Sequence, residues 1–69
     1  MKHNFKFGDI VRNDHADEGN PAKTMMVLRT TESFIICVDF NGYDRSFRNT
    51  ADLRLIKIGA MDFSEWQSI

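Results

Sequence analysis

The sequence contains few of the residues that cross-link or break a small fold. Its 69 residues include one cysteine, one proline and one tryptophan, with four isolated glycines. A single cysteine, Cys37, cannot form an intramolecular disulfide, which excludes the class of small secreted domains that disulfides hold together. This composition fits a reducing compartment, and we therefore expect a cytoplasmic protein.

Long apolar segments are also missing. No run approaches the ~20 apolar residues of a transmembrane helix, and residues 1–6 lack the apolar region of a signal peptide. The formal net charge is −1 at pH 7, so the whole chain has no general attraction to nucleic acid. The charges are unevenly placed, with acids concentrated in residues 9–20 and bases in residues 41–58. The sequence therefore predicts an acidic loop and a more basic second half.

The patterns that carry catalysis or bind a metal ion are absent from the sequence as well. The two histidines, His3 and His15, belong to an N-terminal arm and a polar loop, so neither is placed as a base for Cys37. The loop over residues 13–21 lacks the oxygen ligands with a glycine at the sixth position that hard cations require. We expect no catalytic activity, no cofactor and no metal, and we interpret Cys37 as a structural thiol.

Short runs of β-branched and aromatic residues predict a mostly β protein. The second run is apolar on both faces, with Met25 and Val27 on one side and Met26 and Leu28 on the other, which is typical of a central strand. The predicted strands cover residues 5–12, 22–30, 34–40, 43–48 and 53–58, the first of them including an approach to the strand.

The connections between these runs are mostly short. Asn41-Gly42 is the dipeptide most typical of a two-residue hairpin, and it joins the third and fourth strands. Residues 13–21 are predicted as a loop and residues 31–33 as a turn. Residues 49–52 are predicted as a single turn because Asn, Thr and Asp bond readily to nearby backbone, and Gly59 is predicted to end the last strand.

Five short strands with tight connections predict an all-β protein with an SH3-like barrel over residues 1–58. The tail, residues 59–69, has a different pattern. Asp62 followed by Glu65 resembles a capping box, and Phe63, Trp66 and Ile69 would share one face of a short helix or turn. We expect this apolar face to pack on the barrel, with docking onto a partner as the alternative.

Several residues between 5 and 58 form a recurring pattern, and they are Phe5, Gly8, Asp9, Val11, Pro21, Met25, Val27, Cys37, Phe40, Phe47 and Leu53. This pattern resembles that of the YodC-like family of small proteins from bacteria and phages. This resemblance implies an SH3-like barrel and assigns no established activity. Asp39 stands where the family pattern has a tryptophan.

Two kinds of binding function follow as hypotheses. The first is a non-catalytic adaptor that binds a protein partner or a second copy of itself, through a barrel edge or through Phe63, Trp66 and Ile69. The alternative is binding of nucleic acid by the basic second half. The residues predicted for that alternative are Tyr43, Arg45, Arg48, Arg54 and Lys57.

Overall fold

The computed structural model describes residues 3–68, which form one antiparallel sheet and one short helix. The sheet order is β4-β3-β2-β1-β5, which confirms the prediction of a small, five-stranded all-β fold of barrel type. No helix in the described residues is long and apolar enough to cross a bilayer. The elements are β1 (Asp9–Asn13), a 3₁₀ helix (Pro21–Lys23), β2 (Thr24–Thr30), β3 (Phe34–Val38), β4 (Asp44–Arg48), β5 (Leu55–Ala60) and α1 (Phe63–Gln67).

The central strand β2 separates two apolar clusters, as its two apolar faces predict. Met25 and Val27 belong to a cluster on the inner face of the sheet, and Met26 belongs to a second cluster on the outer face. The inner cluster consists of Val11, Ala22, Met25, Val27, Ile35, Cys37 and Leu55. The outer cluster consists of Ile10, Met26, Val38 and Trp66, so α1 covers part of the outer face.

The β3–β4 hairpin differs from the predicted one. The amide of Asp39 donates to the carbonyl of Tyr43, and the amide of Gly42 donates to the carbonyl of Asp39. The loop therefore has three residues and ends at Gly42, whose φ of +83° suits a glycine. The prediction of a two-residue turn at Asn41-Gly42 was wrong. The hydrogen bonds of Asp39 make the chain reverse its direction two residues before Asn41.

Strand β5 also has different limits from those predicted. Leu53 belongs to the preceding turn, where its amide donates to the carbonyl of Thr50, and β5 begins only at Leu55. Gly59 does not end the strand, because it pairs with Ile10 at a shift of register between Ile10 and Val11. A glycine inside a strand is typical of such a bulge.

Two further local predictions were wrong. Residues 22 and 23, predicted as strand, belong to the 3₁₀ helix, whose first turn is closed by the side chain of Asn20 accepting from the amide of Ala22. The carboxylate of Asp62 makes no capping bond to α1, so the predicted capping box does not form. A helix of five residues is stabilised by packing rather than by its own caps, and here Trp66 supplies that packing.

Candidate functional site

The tail residues predicted as a binding face have different environments. Trp66 is 6% exposed and lies in the outer cluster, against the sheet of its own chain. Phe63 is partly exposed at the start of α1. Ile69 lies outside the described residues. The tail is thus anchored by one aromatic residue and presents another at the surface.

Exposed aromatic rings flank α1 on both sides. The ring of Phe40 stacks on Trp66, with 4.6 Å between the ring centroids and 13° between the ring planes. The ring of Phe7 approaches that of Phe63 at 6.3 Å. Phe40 is 49% exposed and Phe7 is 62% exposed, although both are large apolar residues. These four side chains form one surface of the molecule, which we call the aromatic surface.

A groove of about 380 Å³ runs beside the aromatic surface, between α1 and the β3–β4 hairpin. Its walls combine rings and aliphatic side chains with the backbone of the hairpin loop. Sequence patterns alone missed Phe40 as a site residue, because it continues the apolar alternation of the third run. The lining residues are Leu28, Val38, Asp39, Phe40, Asn41, Gly42, Asp44, Phe63, Trp66 and Gln67.

The charged residues that line this groove are acidic, and the charge of one of them, Asp39, is balanced by Arg45. Asp44 lines the groove itself, while Asp62 and Glu65 line a neighbouring depression beside Phe7. Among the described residues, neither lining set contains a lysine or arginine. The aromatic surface therefore has a negative border, which favours an apolar ligand with positive charge.

Asp39 has a structural role at the end of the groove. Its side chain is fully buried, and one carboxylate oxygen accepts hydrogen bonds from the amides of Asn41 and Tyr43 at 2.9 and 3.0 Å. The other oxygen pairs with Nε of Arg45 at 3.0 Å. Burial raises the pKa of Asp39, but the bonds from Tyr43, Arg45 and Asn41 outweigh burial and lower the pKa below its ordinary value. These bonds fix the conformation of the hairpin loop that lines the groove.

Asp9 fixes the entry to β1 in a similar way. Its carboxylate accepts from the amide of Lys6 at 2.9 Å and pairs with the ammonium of Lys57 at 3.3 Å. The hydrogen bond from Lys6 is the main reason that the pKa of Asp9 is lowered. The Gly-Asp pair at residues 8–9 thus serves the fold, since a side chain at Gly8 would also meet the carbonyl oxygen of Met61 at 3.0 Å.

The structure does not bring the five residues predicted for nucleic-acid binding onto one face. Arg45 and Lys57 are engaged with Asp39 and Asp9, on strands at the two edges of the sheet. Arg48 lies on the outer face of β4, and Tyr43 is exposed in the hairpin. Arg54 is exposed and precedes β5.

A different group of residues meets on the part of the outer face that lies away from Trp66. Phe34 on β3 lies directly opposite Arg48 on β4, and the next pair on the same face is Ile36 with Ser46. Ile36 also pairs with Arg29 on β2. Sequence patterns contain no signal for this grouping, because it depends on the register of three strands.

Cys37 is buried in the inner cluster, and burial raises the pKa of its thiol from 9.0 to about 12. Within residues 3–68, no three side chains from His, Cys, Asp or Glu are grouped so that they could hold a metal ion.

Comparison with protein-family models, curated proteins and solved structures finds no match for this chain.

Proposed function

We propose that this protein is a non-catalytic binding module that holds a segment of a protein partner in the groove beside α1. The observation that supports this proposal is the exposure of Phe40 at the mouth of that groove, where its ring stacks on the buried Trp66. An exposed aromatic ring that stacks on a buried side chain is typical of the residues that dominate binding energy at interfaces. An SH3-like barrel of the YodC-like type and a cytoplasmic location belong to the same proposal.

The groove and its border define the chemistry of the partner. Leu28, Phe40 and Phe63 offer an apolar wall, so the bound segment has apolar side chains. Asp44, together with Asp62 and Glu65 nearby, attracts lysine or arginine at the ends of that segment. A short apolar peptide with flanking basic residues is the ligand that satisfies both features.

The location within the cell is proposed from the thiol chemistry. The single cysteine is buried and its thiol pKa is raised to about 12. The fold therefore needs no disulfide, and its thiol suits a reducing compartment.

A selection from a random peptide library tests the proposal directly. We expect selected peptides to combine apolar residues with lysine or arginine, and to change the fluorescence of Trp66, the only tryptophan, on titration. Phe40→Ser should weaken the binding of such a peptide at least tenfold, because it removes a ring at the centre of the contact. Affinity should also fall when salt is raised, since the basic flanks face acidic residues.

Phe34→Ser is the matched control for Phe40→Ser. Phe34 is an equally exposed phenylalanine in the same β-hairpin, on the part of the sheet away from the groove, so its loss should leave peptide affinity unchanged. Thermal unfolding of both variants checks that they remain folded. Peptides selected without basic residues, or bound equally well by the Phe40→Ser and wild-type proteins, would contradict the proposal.

A further inference from the structure

The outer face of the sheet has an open half that carries an aromatic ring between two arginines. Phe34 is 46% exposed and lies opposite Arg48 across the β3–β4 ladder. Arg29 lies diagonally from Phe34, since it pairs with Ile36 two residues along β3. Diagonal neighbours on one face of a sheet are close enough for long side chains to reach the same ligand. We call Arg29, Phe34 and Arg48 the Phe34 patch.

The two arginines of the Phe34 patch are available to an external anion. Both side chains are exposed, and among residues 3–68 neither takes part in a salt bridge. This distinguishes them from Arg45 and Lys57, whose charges are balanced by buried carboxylates. Glu32, in the turn before β3, is the acidic residue nearest in sequence to Phe34. The patch therefore has a local positive charge although the whole chain does not.

Trp66 and the helix that carries it do not cover this patch. The outer cluster that includes Trp66 is formed by Ile10, Met26 and Val38, at the other end of the outer face. Phe34 thus remains exposed, and no aromatic ring within residues 3–68 stacks on it as Trp66 does on Phe40.

We propose that the Phe34 patch binds single-stranded nucleic acid, with one base stacked on Phe34 and adjacent phosphates bound by Arg29 and Arg48. A planar base matches the flat ring, and guanidinium groups form paired hydrogen bonds with phosphate oxygens. The base must be unpaired to reach the ring, so a duplex does not satisfy the same contacts. The patch is separate from the aromatic surface, and this inference does not depend on the peptide-binding proposal.

Fluorescence anisotropy with labelled oligothymidine and oligouridine of about ten nucleotides tests the inference on the full chain. We expect binding at low salt, with log K falling against log salt at a slope of about −1.4, because two phosphates are neutralised at about 0.7 each. The two oligonucleotides separate DNA from RNA as the preferred strand. Phe34→Ala should weaken binding roughly tenfold by removing the stacked ring.

Charge variants give the sharper comparison. Arg29→Ala and Arg48→Ala should each reduce the salt slope by about 0.7. Arg54→Ala removes the same charge from an exposed position outside the patch and should leave the slope unchanged. Glu32→Gln should strengthen binding, since it removes a negative charge beside Phe34. Phe40→Ser, which disables the proposed peptide groove, should not change nucleic-acid affinity.

Three results would overturn the inference. The first is an absence of anisotropy change at low salt with both oligonucleotides. The second is an equal loss of affinity in Arg54→Ala and Arg48→Ala, which would indicate attraction to the whole molecule rather than to the patch. The third is equal affinity for a duplex of the same length, which would exclude stacking on Phe34. Circular dichroism of each variant confirms that the fold is retained.

Discussion

Asp39 shows how a buried polar residue in this protein serves the chain itself. Among residues 3–68 it is one of three buried polar or charged side chains, the others being Asp9 and Asn49, and each lies where the chain changes direction. Asn49 accepts from the amide of His3 and donates to the carbonyls of His3 and Thr31, which ties the N-terminal arm to the β2–β3 turn. Because these groups are satisfied by backbone and side-chain partners, they contribute to stability and leave the exposed rings and arginines for binding.

Replacing Asp39 should change how stability depends on pH. Its pKa is lowered in the folded state, so its contribution is fully present above the unfolded pKa of about 4 and is lost as pH falls below that value. Asp39→Asn should destabilise the protein by about 1–3 kcal/mol at pH 7 and should reduce the loss of stability on acidification. Thermal unfolding at pH 7 and at several values between about 4 and 2 measures both effects.

Arg45→Gln is the comparison variant for Asp39→Asn. It removes the ion pair but keeps the bonds from the amides of Asn41 and Tyr43, so the acid dependence should weaken less than in Asp39→Asn. An Asp39→Asn protein that loses stability on acidification as steeply as the wild type would show that this carboxylate does not control the transition.

At the level of secondary structure, most of the sheet could be predicted because it depends on local alternation of apolar and polar residues. The strand ends could not, because they depend on distant partners. The hydrogen bond from the amide of Asp39 to the carbonyl of Tyr43 closes the hairpin loop and ends β3 earlier than predicted, and the bulge beside Gly59 lets β5 continue past that glycine. In the candidate sites, periodicity identified Trp66 and Phe63, whereas Phe40 and the Phe34 patch required the three-dimensional arrangement of α1 and of three paired strands.

Helix α1 depends on one side chain, and this gives a second prediction. Trp66→Ala should reduce the free energy of unfolding by about 3–5 kcal/mol, because it empties the outer cluster against Ile10, Met26 and Val38. Gln67→Ala, an exposed position in the same helix, should change stability by less than about 0.5 kcal/mol. Urea unfolding followed by circular dichroism measures both variants without relying on tryptophan fluorescence.

A Trp66→Ala protein that remains as stable as the wild type would indicate a different role for Trp66. If the variant keeps the stability of the wild type but changes its sedimentation from a dimer to a monomer, then Trp66 holds two chains together rather than one. The tail would in that case be the docking element that the sequence left open as an alternative.

Across the whole molecule, the outer face of the sheet is divided between two surfaces. Trp66 covers Met26 and Val38 and, with Phe40 and Phe63, forms the apolar groove with an acidic border. The remaining part carries Phe34 with Arg29 and Arg48 and has the opposite charge. A single small sheet can thus present an apolar, acidic surface and an aromatic, basic surface at the same time. Together, the proposed peptide groove and the proposed Phe34 patch would make the protein an adaptor that joins a protein segment to a nucleic-acid strand.

The inner cluster packs against the opposite face of the same sheet, and Cys37 reports on its integrity. The thiol keeps its proton in the folded state up to about pH 12, whereas the unfolded thiol loses it above its ordinary pKa of 9.0. The unfolded chain then binds fewer protons than the folded one, so stability should fall as pH rises between 9.0 and about 12, by about 1.4 kcal/mol per pH unit.

Cys37→Ala should lower stability at pH 7 but remove this part of the alkaline dependence. Urea unfolding of both proteins at neutral and alkaline pH measures the difference. Equal alkaline slopes would mean that the interior opens to hydroxide without global unfolding, since the thiol would then ionise equally in both states.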